Sequence, residues 1–158
     1  MEKNPPIVKG IDFSISRGNS DVHLLIAALL TEDCTVLLET SGERDISSCD
    51  PRVHRIIDIK TPCSGAADSF LPSNYEALNP IDEVKFVITN REDFDWSVSI
   101  VQQHALLDTV NAVHFSPVME QAKDEFIQGC EGLEPDTLSL WILESQLPIR
   151  VQLQVHKY

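Results

Sequence analysis

Short apolar runs that break into polar sequence at their carboxyl ends set the rhythm of this chain. Val36-Leu37-Leu38 passes into Glu39-Thr40-Ser41-Gly42, and Ile56-Ile57-Asp58-Ile59 into Lys60-Thr61-Pro62. Val113-His114-Phe115 passes into Ser116-Pro117, and Val151-Gln152-Leu153-Gln154-Val155 into His156-Lys157. Runs of this length rich in β-branched residues predict strands over 35–39, 53–59, 83–88, 110–115 and 149–155, with a further strand over 7–15 broken at Gly10. Between them, helical segments are expected at 22–30, capped by Ser20 or Asp21, and at 73–78, capped by Ser73. Asn90 is placed to cap a helix over 91–104, with Asp93 as its box-like acidic partner. Pro135 opens a helix to Ser145, with Asp136 near the positive end of its dipole. Residues 62–72 read as a long loop and 120–134 as an acidic insertion.

Strand–helix alternation without hairpin signals implies βα units and a parallel sheet, hence an α/β fold in a single domain. In such proteins the carboxyl ends of the strands line the ligand crevice. The polar sequences there are therefore the candidate chemistry. Glu39-Thr40-Ser41-Gly42 offers two hydroxyls and a flexible glycine, or else an ordinary βα turn. Lys60 offers a point charge for a carboxylate or phosphate, or else pairs with Asp58 two residues earlier on the same face. Ser116-Pro117 fixes a strand end. Gln152, Gln154 and His156 share one face of the last strand, which suggests either a polar cavity or a solvated edge.

Composition narrows the partners. Apolar residues make up 42 % of the 158-residue chain, enough for a real core, and the net charge is −13. Such an acidic chain is a poor match for a nucleic-acid backbone or an anionic membrane. No apolar run of about 18 residues occurs, and Met1–Pro6 carries no signal-peptide core, so the expectation is a cytoplasmic protein. Cys34, Cys49, Cys63 and Cys130 are far apart and form no C-x-x-C pair, which predicts free thiols rather than a zinc or cluster loop. The five histidines show no H-x-x-x-H spacing, and no G-x-S-x-G, P-loop or G-x-G-x-x-G is present. Glu131, Glu134 and Asp136 read as a solvated acidic face.

From about His23 to Tyr158 the ordered blocks Leu-Leu-Glu-Thr-Ser-Gly, Ile-Asp-Ile-Lys-Thr-Pro, Asp-Glu-Val-Lys-Phe-Val-Ile, His-Phe-Ser-Pro-Val and Leu-Pro-Ile-Arg-Val-Gln-Leu-Gln-Val-His-Lys resemble 7-carboxy-7-deazaguanine synthase. That family belongs to the radical S-adenosylmethionine enzymes of the 7-deazapurine (queuosine) pathway. The resemblance implies part of a modified radical-enzyme barrel and a homodimer. It implies a lyase that contracts 6-carboxy-5,6,7,8-tetrahydropterin to 7-carboxy-7-deazaguanine with S-adenosylmethionine, a [4Fe–4S] cluster and Mg²⁺. Carried over by position, Glu39, Thr40, Ser41 and Gly42 would lie near the methionine part of the cofactor. Lys60 would sit beside its carboxylate or ribose, and Ser116 at the next strand end. Gln154 would face the cofactor and His156 the pterin.

The departures from the family pattern are as informative. Its C-x-x-x-C-x-x-C loop, whose thiolates hold the cluster, has no counterpart, nor has its Gly-Gly-Glu-Pro stretch. Ser16-Arg17-Gly18-Asn19 stands roughly where those surroundings belong and does not match. Residues 1–20 are thus an atypical N-terminal segment, and 22–158 correspond to the C-terminal half of the barrel. The expectation is a truncated or split enzyme that binds no cluster and is inactive alone. It would be completed by a complementary N-terminal fragment, or would self-associate through strands 55–59 and 83–88 left near an open edge or face. Two rivals remain: a non-catalytic α/β module that binds a metabolite or partner, and an unrelated cofactor-free enzyme using His156 and Lys60.

Overall fold

The computed structural model describes residues 7–12, 20–120 and 130–153. The strands are β1 (Ile7–Asp12), β2 (Thr35–Thr40), β3 (His54–Ile59), β4 (Glu83–Ile88), β5 (Ala112–Pro117) and β6 (Arg150–Val151). They form one sheet in the order β1-β2-β3-β4-β5-β6, and every neighbouring pair is parallel. Each crossover therefore steps one strand onward in the same direction, with no switch point. Right-handed crossovers of that kind place every covering segment on one face of the sheet. The other face is left with no layer drawn from these connections. β1 pairs with β2 and β6 with β5, and no pairing joins β1 to β6 among the described residues. Strands 55–59 and 83–88 lie at the sheet centre and not at an edge, and their second face, the open face, carries no helix among the described residues.

The covered face holds the core. Ile57, Ile59, Val84, Phe86, Ile88, Val113 and Phe115 pack there beneath α2 (Arg91–Gln103) and α4 (Pro135–Ser145). Phe115 meets Phe86 edge-on at 5.4 Å and Phe94 at 5.6 Å between centroids. A second cluster joins Ile26 and Leu30 of α1 (Ser20–Thr31) to Val36, Leu38 and Val53. Pro135 sits at the first turn of α4, as the sequence predicts. Asn90 accepts from Asp93 N–H at 3.0 Å and caps α2. Asp93 departs from the expected box, because its carboxylate accepts from Thr89 N–H and Cys63 N–H instead. This buried side chain thereby ties together the loops at the ends of β3 and β4. A four-residue helix, α3 (Leu106–Thr109), precedes β5 and was not expected from the pattern.

Two crossovers carry no α-helix. The β2–β3 and β3–β4 connections are held by buried polar side chains instead. Asn74, fully buried, donates to Gly42 O and Arg44 O and accepts from Ile46 N–H. That use of Asn74 accompanies a 3₁₀ turn over Pro72–Tyr75, in place of the expected Ser73-capped helix, with Leu71 at the cap position and no side-chain cap bond. Further 3₁₀ turns at Pro62–Ser64 and Ala67–Ser69 break up the predicted long loop.

The last strand is shorter than the pattern predicts. Its ladder ends where Gln152 N–H donates to Phe115 O at 3.0 Å. The next bond of a parallel ladder would need an N–H from Pro117, which has none. Pro117 still belongs to β5, because that strand continues against β4, where Val118 N–H donates to Ile88 O. The proline thus stops one side of the strand and not the other. β1 carries its own irregularity, a register shift between Val8 and Ile11 that spans Gly10.

Gly42 is a packing device. Its φ is +69°, and a Cβ there would run into the ring of Phe70. Gly42→Ala should therefore lose about 1 kcal/mol from the left-handed backbone and about 1–3 kcal/mol from overpacking. Urea unfolding checks this, and a cost of only about 1 kcal/mol would show that Phe70 moves aside freely.

Candidate functional site

Alternation along the central strands separates two chemistries. Side chains that pair across parallel strands share a face, so the register reads the open face directly. One row runs Glu39–Ile56–Glu83–Ala112. The next runs Asp58–Lys85–His114–Arg150. Beyond it, toward the carboxyl ends, stand Lys60 and Val87–Ser116. Glu39, Asp58 and Glu83 balance Lys60, Lys85 and Arg150, so this face is close to neutral in a chain of net charge −13. A central parallel strand normally buries apolar residues on both faces. Here β3 and β4 put charge on one of them, and β5 adds a histidine and a serine.

The polar groups are partly tied to one another. Lys60 Nζ donates to Asp58 Oδ2 at 3.0 Å, the pairing that the spacing allowed, with both side chains half-buried. His114 Nε2 lies 3.1 Å from Glu83 Oε2, and Asn111 Nδ2 donates to Glu83 Oε1 at 3.3 Å. Three buried atoms of this face have no hydrogen-bond partner among the described residues: Asp58 Oδ1, His114 Nδ1 and Ser116 Oγ. A buried polar atom without a partner costs about 1–3 kcal/mol. An arrangement that carries three of them on one face leaves three hydrogen bonds unmade there.

The structure gathers some of the sequence-predicted residues and separates others. Glu39, Lys60 and Ser116 belong to the open face. Thr40 pairs across from Ile57 on the covered face, and its Oγ1 accepts from Gly42 N–H at 3.1 Å. Ser41 and Gly42 follow in the turn, where Gly42 O accepts from Leu71 N–H and Asn74. Gln154 and His156 lie outside the described residues. Sequence reasoning missed Glu83, Lys85, His114 and Arg150. The available signal was a pair of polar residues two positions apart at each of three central strands: Asp58 and Lys60, Glu83 and Lys85, His114 and Ser116.

The four cysteines are free. Cys34 follows α1, Cys49 lies in the β2–β3 connection, Cys63 in a 3₁₀ turn and Cys130 between β5 and α4. Burial raises the thiol pKa of Cys49, and desolvation likewise raises that of Cys63, away from the thiolate that a metal needs. No group of three or more His, Cys, Asp or Glu side chains that could hold a metal ion occurs among the described residues. These residues do not fit an iron–sulfur cluster. No helix among the described residues is long and apolar enough to cross a membrane.

Comparison with known proteins gives a consistent result. The chain is 39 % identical over 131 residues to the 7-carboxy-7-deazaguanine synthase of Koribacter versatilis, covering 82 % of this chain and 58 % of that protein. It is 39 % identical over 137 residues to the synthase of Chlorobaculum tepidum, with 85 % and 57 % covered. To that of Leptospira interrogans it is 34 % identical over 152 residues, with 93 % and 57 % covered. No family model matches the chain, and no solved structure does. The chain spans less than three fifths of the length of these curated relatives. The resemblance read from the strand-end motifs is thus borne out across most of the sequence, and this chain is a relative of the 7-carboxy-7-deazaguanine synthases.

Proposed function

We propose that this chain supplies the C-terminal part of a 7-carboxy-7-deazaguanine synthase, in the cytoplasm, for 7-deazapurine (queuosine) biosynthesis. The polar open face carries the reading, because it sets hydrogen-bonding groups on the central strands of a sheet whose sequence is like the synthases'. On this reading the substrate is 6-carboxy-5,6,7,8-tetrahydropterin, and the complete enzyme uses S-adenosylmethionine, a [4Fe–4S] cluster and Mg²⁺. Lys60 supplies a cation suited to the cofactor's carboxylate, and the polar rows orient the pterin and exclude water from it. The cysteines of this chain do not fit the cluster. Catalysis then needs a C-x-x-x-C-x-x-C segment beyond these residues. A second copy of the same chain would bring the same four cysteines, so a homo-oligomer formed at the open edges β1 and β6 would not complete the site. A complementary N-terminal fragment would.

The test is anaerobic reconstitution of the chain alone and together with the N-terminal segment of one of the synthases above. Alone, the chain should hold almost no iron and sulfide and form no product. The pair should hold about four irons and convert the tetrahydropterin. Stoichiometric iron on the chain alone, lost on replacing Cys34, Cys49, Cys63 and Cys130, would overturn the reading, as would a cluster-loaded pair that makes no product. Binding of S-adenosylmethionine or pterin without turnover by the pair would favour a metabolite-binding module instead.

A further inference from the structure

The geometry points to Glu83 and His114 as a positioning pair that fixes one tautomer of the imidazole and aims an acceptor at an N–H-bearing edge of the bound molecule. The inference rests on the reading that the open face takes the tetrahydropterin, and it names how that face selects it.

Among the described residues the buried side-chain atoms without a partner are Asp58 Oδ1, Ser69 Oγ, Ser97 Oγ, His114 Nδ1 and Ser116 Oγ. Three of these five belong to the open face, clustered on β3 and β5. Their character is unequal. An ionised carboxylate oxygen only accepts, and a hydroxyl does either. The imidazole depends on its other nitrogen. His114 Nε2 faces Glu83 Oε2 at 3.1 Å, and a carboxylate can only accept there. The neutral ring must then carry its proton on Nε2, leaving Nδ1 as a lone-pair acceptor. Asn111 holds the other oxygen of Glu83, which keeps the carboxylate turned to the histidine.

The other charged groups on this face suit the same ligand. In the cross-strand row Lys85 stands between Asp58 and His114, and Arg150 flanks His114 on the far side. Acceptors at Asp58 Oδ1 and His114 Nδ1 thus lie about two strand spacings, roughly 10 Å, apart at the backbone, with a donor between. A ligand that fills this row offers N–H groups toward the two acceptors and an acceptor toward Lys85. An anion such as phosphate or a simple carboxylate has no proton to give Asp58 or His114. A reduced nitrogen heterocycle has several. Ser116, two residues beyond His114 on the same face, adapts to either partner.

The experiment is long-range ¹H–¹⁵N correlation on histidine-labelled chain at pH 8, with His114 assigned by His114→Asn. The expected spectrum is the Nε2–H tautomer. Glu83→Gln, whose amide can present N–H to Nε2, should convert part or all of it to the Nδ1–H form. Glu83→Ala is the second variant should Gln still accept through its oxygen, and it should give a mixture of both tautomers. Adding 6-carboxy-5,6,7,8-tetrahydropterin should shift the Nδ1 resonance by several ppm, whereas inorganic phosphate should not. An Nδ1–H ring in the unaltered chain would overturn the pair. A pterin that moves other resonances but leaves Nδ1 in place would overturn its role in binding while sparing the family reading. Were the tautomer as expected and no resonance moved by saturating pterin, the proposal that this face takes the tetrahydropterin would fall and the ligand class with it.

Discussion

Asp82→Ala is expected to remove about 3–5 kcal/mol of folding free energy, the cost of leaving a buried guanidinium without its counter-ion. Arg55 and Asp82 are both almost wholly buried. Arg55 Nε donates to Asp82 Oδ1 at 2.9 Å, and its Nη2 also reaches that carboxylate. The same guanidinium donates to Ile46 O at 3.0 Å and Ala77 O at 2.7 Å, while Asp82 Oδ2 accepts from Asn79 N–H at 2.8 Å. One pair therefore fastens the β2–β3 connection and the approach to β4, the regions with no helix to cover them. Native domains are stable by about 5–15 kcal/mol, so this loss would leave the chain marginal. Urea unfolding of Asp82→Ala and Asp82→Asn measures it. If alanine prevents folding, asparagine keeps the comparison, since it retains the shape and removes the charge. Arg55→Met with Asp82→Leu should cost less than either single change, because no charge stays buried, though Ile46 O and Ala77 O still lose a donor. A cost under about 1 kcal/mol for Asp82→Ala would show that water reaches Arg55 and that the pair is not what closes these loops.

The identity of each strand was legible because apolar runs of the right length stood between turn residues, and α4 was legible from Pro135. What the pattern missed depends on partners far along the chain. Asn74 falls inside the helix expected over 73–78, yet its side chain is spent on the backbone of 42–46, and the 3₁₀ geometry of Pro72–Tyr75 accompanies that use. Pro117 reads as a stop, yet it halts only the bond toward β6, because successive residues of a strand hydrogen-bond to opposite sides. The Gln152-Gln154-His156 alternation reads as a polar face and the Asp58–Lys60 spacing as a shared face, whereas Lys85 and His114 read only as interruptions of apolar runs. Their meaning emerges only when the register lines them up. Glycine at position 42 suggested ligand approach, and the structure gives it a packing reason in Phe70.

Phe115 and Ser116 are neighbours on β5, face opposite ways, and should respond oppositely to alanine. Phe115 is fully buried between Phe86 and Phe94, so Phe115→Ala should cost about 3–5 kcal/mol through lost burial and the cavity left behind. Ser116 is just as buried, but its hydroxyl has no partner among the described residues. Removing a buried hydroxyl that bonds to nothing relieves a desolvation cost, so Ser116→Ala should be neutral or stabilising by about 1 kcal/mol. If the proposed function holds, the expected counterpart is a loss of affinity for the tetrahydropterin or S-adenosylmethionine in Ser116→Ala, at unchanged or higher thermal stability. Unfolding curves and calorimetric titrations of both variants separate the faces. A Ser116→Ala chain that is clearly destabilised would mean its hydroxyl already has a partner within the protein, and the open face would lose one of its three unfilled hydrogen bonds. If it binds both small molecules as the parent does, the ligand site lies off this row.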